Sequence, residues 1–323
     1  MLRRWQSASV LGFGTKRPPV QIRPPRPAQK ACDSHRTGSP PVVSNYPGGI
    51  AAQVMRRRPA AVDTCRASWH CVAMALPVRL VAALFAVFAL VALFGIIDLA
   101  VVLSPSDEFR PIVMLEAGWG LLFTVLVAAA FAAVAVWPRR CTPPLVQIGV
   151  VIVTLAVAAA LGGGALWLVA VGLSAALIVL VAMLPKDREP LWPQPGSVSW
   201  PLAALTVAGV VLWLWYGTRM FMLAQQPSAT TDDTLGVNHY QVQGALAVAL
   251  VGLTGLTVKW PRFRSWVGIS AGTTAAALGA SNLAWSHSAG AFPVGWAVCA
   301  VIWGVLLAGA SWVSRDHRKP EQY

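Results

Sequence analysis

The chain has 323 residues, of which 56% are hydrophobic and only 11% are charged. A soluble domain would carry about a quarter charged residues, so the composition excludes an ordinary soluble enzyme or binding domain. The net charge of +13 is concentrated in the first 79 residues, where 13 Lys+Arg against 2 Asp+Glu give +11 and leave +2 for the rest. The basic charge therefore gives no evidence that the apolar part binds nucleic acid, and no nucleic-acid partner is predicted.

Residues 1–73 form the first predicted segment, a basic tail rich in Pro, Arg and Ser that has no hydrophobic period. Because such a segment cannot bury a core, we expect it to be disordered. Its stretch VQIRPP, at 20–25, is what translation of the T-arm of a transfer-RNA gene would give. We therefore expect translation to start further on, near Met74 or Met55. The alternative is a genuine cytoplasmic tail that contacts anionic lipid.

Apolar runs long enough to cross a bilayer recur through residues 74–314, which form the predicted membrane domain. Backbone amides in lipid must be hydrogen-bonded within the segment, and the runs lack the alternation of barrel strands, so they predict helices. The predicted fold class is all-α, a polytopic transmembrane helix bundle of about eight spans. These predicted spans are 80–103, 112–137, 145–161, 165–184, 201–224, 241–258, 265–285 and 292–313.

The loops between the spans predict the orientation of the bundle, because positive charges gather on the cytoplasmic side. Gly162-Gly163-Gly164 breaks the long run 145–184 into two spans, which keeps the basic residues on one side. The inside then carries Arg79, Arg139, Arg140, Lys186, Arg188, Lys259, Arg262, Arg264, Arg315, Arg318 and Lys319. Both termini are therefore predicted to be cytoplasmic, with a short tail over 315–323.

Two features indicate a bacterial plasma membrane. Arg outnumbers Lys 20 to 5 and Ala, Val and Gly abound, as expected from a GC-rich genome. The stretch TDDTLGVNHYQVQG, residues 231–244, also resembles one in uncharacterised actinobacterial multi-pass membrane proteins. The resemblance implies a multi-pass protein of the bacterial cytoplasmic membrane. It implies no activity, cofactor or functional residue.

Five polar residues within or beside the predicted spans form the candidate site, and all are predicted to lie near the outer side: Asp98, Glu116, Arg219, His239 and Asn282. Ionisable groups in lipid are costly and are therefore functional candidates. In one interpretation they line an outward-opening pocket in which acids and imidazole relay protons or bind a substrate, and Arg219 holds an anion. In the other, Asp98 or Glu116 neutralises Arg219 and locks the helices together without any ligand.

A second pattern lies on the seventh predicted span, where small residues recur at every fourth position: Gly268, Gly272, Ala276 and Ala280. Such a face allows close packing of another helix. No G-x-S-x-G, H-E-x-x-H or phosphate-loop motif occurs, and the five cysteines show no C-x-x-C, so no cofactor or metal is predicted.

The primary functional prediction is a non-enzymatic membrane component that acts through lateral helix–helix partners or as a homo-oligomer. One alternative is a small secondary transporter that uses the outer polar residues. A second is an intramembrane enzyme acting on a lipid-linked substrate, for which only His239 and the two acids offer a base and a nucleophile.

Overall fold

The computed structural model describes residues 76–162, 164–184, 190, 195–226, 233–234 and 237–314. All of these belong to one compact unit, Ala60–Tyr323, and the other unit, Met1–Pro59, lies outside the described residues. The predicted tails over 1–73 and 315–323 and the expected starts at Met55 and Met74 also lie outside them.

The described part of the chain is almost entirely helical. Its main helices are α1 (Leu76–Val91), α2 (Gly95–Leu103), α3 (Val113–Val136), α4 (Thr142–Gly162), α5 (Leu166–Met183), α6 (Trp200–Ala224), α7 (His239–Lys259), α8 (Ile269–Ala284) and α9 (Val294–Val313). Between α6 and α7, a short hairpin pairs β1 (Asp233–Thr234) with β2 (Val237–Asn238) in antiparallel fashion.

Among the described residues, six helices are long and apolar enough to cross a membrane, or seven if α1 and α2 together make one bent span. The predicted fold class, an α-helical membrane bundle, is thus confirmed, and the protein is an integral membrane protein. The six are α3, α4, α5, α6, α7 and α9. Helix α8 has 16 residues and is not one of the six, so eight spans and their orientation stay predictions.

The first predicted span, 80–103, is two helices rather than one. Helices α1 and α2 meet at an angle of 42°. At the break Phe94 adopts a left-handed backbone with φ of 57°, which is uncommon for a residue with a side chain. Gly95 follows at once and packs so tightly that an added Cβ would lie 2.8 Å from the Thr124 hydroxyl of α3. Close packing of α2 on α3 thus accompanies the change of direction.

Helix α3 also departs from regular geometry, because its middle turn, Leu122–Ala128, is a π-helix. Gln147 of α4 donates a hydrogen bond from Nε2 to the Leu126 carbonyl at 2.8 Å. A second π-helical turn, Arg264–Gly268, leads into α8. Such turns leave backbone groups partly unmatched and often lie at functional sites.

Helices α3 and α7 form the core of the bundle. In each of them 67% of an apolar stretch of 18 residues is buried inside the protein, against 28% for α5. Helix α7 packs against α3, α4 and α6, and α8 packs along α9. The predicted small-residue face lies at this last contact: a Cβ on Gly304 of α9 would lie 2.5 Å from the Gly272 carbonyl oxygen. Ala280 departs from the pattern because it is exposed, whereas Gly279 approaches the α9 backbone. This face is therefore occupied within the chain.

Candidate functional site

Two of the five predicted site residues come together in the core. Glu116 lies in the first turn of α3, and His239 is the first residue of α7. The Nδ1 atom of His239 lies 3.6 Å from Oε1 of Glu116, and the side chains are 0% and 6% exposed. The two side chains form a buried ion pair if the imidazole carries a proton.

Trp119 connects this pair to the break between α1 and α2. It follows Glu116 by three residues, which places both on the same face of α3. Its ring centroid lies 4.6 Å from that of His239. The indole N–H donates a hydrogen bond to the Leu93 carbonyl at 2.6 Å. The ring beside the imidazole therefore also satisfies a carbonyl at the helix break.

A second set of polar contacts extends from the pair towards α6. Gln243 follows His239 by four residues on α7 and donates a hydrogen bond from Nε2 to the Met114 carbonyl. The Tyr216 hydroxyl lies 3.2 Å from Gln243 Oε1 and 3.1 Å from the Gly290 carbonyl oxygen. Its single proton can be donated to either acceptor, so Tyr216 ties α6 both to α7 and to the loop before α9.

Asp98 is buried in the first turn of α2, directly after the break. The residues around it in sequence pack against α3: Gly95 meets Thr124, and Leu99 lies against Gly120. Asp98 therefore lies on the helix that the break positions against α3.

Arg219 lies in a different place. It is half-buried and lines a pocket of 270 Å³ together with Ser286 and His287, at the end of α6 and the start of α9. Its guanidinium carbon is 5.8 Å from the ring centroid of Trp215. Within the described residues Arg219 forms no ion pair, so it is not locked to Asp98 or Glu116 there.

Asn282 is fully buried near the end of α8 and binds the backbone of the loop before α9. Its Nδ2 donates to the Phe292 carbonyl and its Oδ1 accepts from the Phe292 amide, both at 2.8 Å. The Phe292 ring contacts Tyr216 at a centroid distance of 4.8 Å and also lines the Arg219 pocket. Asn282 thus holds in place the loop that lies between the two polar regions.

Arg264 has a structural role at the opposite end of α7. Its Nε donates to the Thr257 carbonyl at 3.0 Å, and its Nη2 donates to the carbonyls of Ser197 and Val258 at 2.8 and 3.1 Å. Burial lowers the pKa of the Arg264 guanidinium from its ordinary value, yet arginine stays charged in proteins. It satisfies carbonyls that α7 leaves open at its C-terminus.

The sequence interpretation missed several residues that shape the site, namely Trp119, Tyr216, Gln243, Ser286 and His287. A usable signal was the polar Gln243 near the start of the predicted span 241–258. No group of three or more His, Cys, Asp or Glu that could hold a metal occurs in the described part of the chain.

Comparison with known proteins adds no assignment: no family model, curated protein or solved structure matches this chain. Function is therefore inferred from the geometry of the described residues.

Proposed function

We propose that this integral membrane protein is a small proton-linked secondary transporter of the bacterial cytoplasmic membrane, with Glu116 and His239 as its proton-binding pair. The observation that carries the proposal is the 3.6 Å contact between the two side chains in the buried core. Ionisable groups within a membrane bundle are expensive, and carboxylate–imidazole chains are typical of proton relays in transporters.

The surroundings of the pair support movement as well as proton binding. Transporters often form their sites beside interrupted helices. Here Trp119 contacts both His239 and the break at Leu93. Phe94 is held in a left-handed conformation at the same break, and such positions cost of the order of 1–3 kcal/mol. A change in the charge or position of the Glu116–His239 pair can therefore be transmitted to the strained backbone at Phe94 through the side chain of Trp119.

The chemistry follows from the net charge of the pair. With the imidazole neutral and the carboxylate ionised, the pair carries one negative charge, and one added proton makes it an ion pair with no net charge. A substrate that binds one charge state more tightly would therefore take up or release a proton when it binds.

The structure bears differently on the two other functions. Lateral partners were predicted from the small-residue face, but that face is covered by α9 of the same chain, as Gly272 and Gly304 show. An intramembrane enzyme would use His239 as a base and Glu116 as a candidate nucleophile, but Trp119 and Gln243 beside the pair add no further reactive group. We therefore rank both of these functions below that of a transporter.

The test is uptake into proteoliposomes that contain a pH-sensitive dye. Amino acids, sugars, nucleosides and organic acids are added in turn to vesicles with wild-type protein. We expect one class to change the internal pH, and Glu116→Gln and His239→Gln to abolish that change.

Glu108→Gln is the matched control, because Glu108 is an exposed carboxylate outside the helices. It should transport like the wild type. If the wild type and Glu116→Gln move the same substrate with the same change in pH, the pair is not the proton site.

A further inference from the structure

The pocket around Arg219 holds a positive charge that has no acidic partner among the described residues. None of the described residues that line it is a carboxylate: Arg219, Ser286, His287, Ala291, Phe292, Pro293 and Val294. Arg219 is half-buried and forms no ion pair with any residue that the structure describes. A guanidinium in this setting keeps its donors available for a ligand.

A pair of stacked tryptophan rings lies beside the guanidinium. Arg219 lies over the Trp215 ring, and Trp215 stacks on Trp296 of α9 with ring centroids 4.6 Å apart and planes within 10°. On another side, Asn282 anchors the Phe292 backbone. The ring beneath the guanidinium and one wall of the pocket are therefore held by packing, and order of this kind before binding lowers its entropic cost.

We propose that this pocket binds a phosphate group. A guanidinium presents parallel N–H donors that match two phosphate oxygens, and the Ser286 hydroxyl and the His287 imidazole offer further donors from the facing loop. A volume of 270 Å³ is ample for a tetrahedral anion. The start of α9 at Val294 adds partial positive charge of the favourable sign.

The depth of the pocket fits such a ligand. Arg219 precedes the last residue of α6, Ala224, by five positions, or about 7.5 Å along the helix axis. It therefore lies close to one membrane surface, where lipid phosphates and dissolved phosphate are both within reach. The site would serve either a phospholipid headgroup or a free phosphate, independently of proton transfer at Glu116.

The experiment uses the purified full chain in a phosphate-free glucoside detergent. One arm adds phosphatidylglycerol, with a phosphate-free galactolipid as its counterpart, and the other adds inorganic phosphate, with chloride as its counterpart. Binding is followed by thermal stabilisation and by native mass spectrometry. We expect a phosphate-specific effect in at least one arm, and which arm responds identifies the source.

Arg219→Gln should weaken that binding by about tenfold or more. Arg219→Lys should weaken it less, because lysine keeps the charge but lacks the parallel N–H donors of the guanidinium. Arg110→Gln is the control, since Arg110 is an exposed arginine paired with Asp107 at 3.2 Å. It should bind like the wild type.

The double variant Ser286→Ala, His287→Gln tests the same site from the loop, where both side chains are at least partly exposed and changes are tolerated. If Arg219→Gln fails to fold, this double variant takes its place in the test. It should also weaken phosphate binding. Equal binding by this variant and the wild type, or stabilisation that galactolipid and chloride reproduce, would overturn the proposal. Neither result depends on whether the protein transports protons.

Discussion

The carboxylate of Glu116 lies 3.6 Å from Nδ1 of His239, where α3 and α7 begin. Each residue lies in the first turn of its helix, so the contact joins, at one end, the two candidate spans with the largest buried share. Trp119 links this contact to the break between α1 and α2, because its ring lies against His239 and its indole N–H donates to the Leu93 carbonyl.

The first prediction concerns the energetic coupling within this pair. We expect Glu116→Gln and His239→Gln each to destabilise the protein. The double variant should be less destabilised than the sum of the two single effects by about 1–3 kcal/mol, because the effects of substitutions at contacting residues are not additive. Unfolding by denaturing detergent measures this double-mutant cycle. Glu108→Gln, at an exposed site, should change the stability by no more than about 0.5 kcal/mol. A coupling energy near zero would show that the two side chains do not interact.

The second prediction concerns the contact between α8 and α9. Gly304→Ala should destabilise the bundle by about 1–3 kcal/mol, because the new methyl group would meet the Gly272 carbonyl oxygen and force the backbones apart. Gly309→Ala in the same helix is the control, since no atom lies within 4 Å of its added Cβ. Thermal unfolding in detergent compares the two. Equal effects would mean that α8 and α9 are not in backbone contact.

The third prediction concerns Arg264. Arg264→Lys should destabilise the protein by about 1–3 kcal/mol, because an ammonium cannot reach the carbonyls of Thr257, Val258 and Ser197 together. The matched control Arg139→Lys changes an exposed arginine and should be neutral. Hydrogen exchange at the C-terminal turn of α7 gives a local readout. Unchanged protection there in Arg264→Lys would rule out the capping role.

The helices could be predicted from the sequence because the requirement to satisfy backbone amides in lipid leaves few choices. The predicted spans 145–161 and 201–224 match α4 and α6 within a few residues. The break at Phe94 could not be predicted, since no proline marks it and it depends on packing of Gly95 against α3. The local sequence therefore determines where a helix begins and ends, whereas the bend at Phe94 depends on tertiary contacts.

The candidate site was predictable as a set of residues but not as a geometry. Hydropathy alone marks Glu116, Arg219 and His239 as costly in lipid. Which of them meet depends on how α3, α6 and α7 pack, and a single sequence does not encode that in a readable way. Gly118 illustrates the limit: it makes room for the Gln243 amide, whose carbon would lie 2.2 Å from an added Cβ.

The central claim is that the Glu116–His239 pair exchanges a proton with the solution, and counting protons tests it without a known substrate. Wild-type protein, His239→Gln and Glu108→Gln are titrated in unbuffered detergent solution through the range where carboxylates and imidazoles ionise. The account predicts that His239→Gln binds about one proton per chain fewer than the wild type, because it removes one site of a coupled pair. Glu108→Gln removes an ordinary exposed carboxylate and calibrates the size of a one-proton loss. Identical proton uptake by the wild type and His239→Gln would contradict the account and leave the pair as a structural contact between α3 and α7.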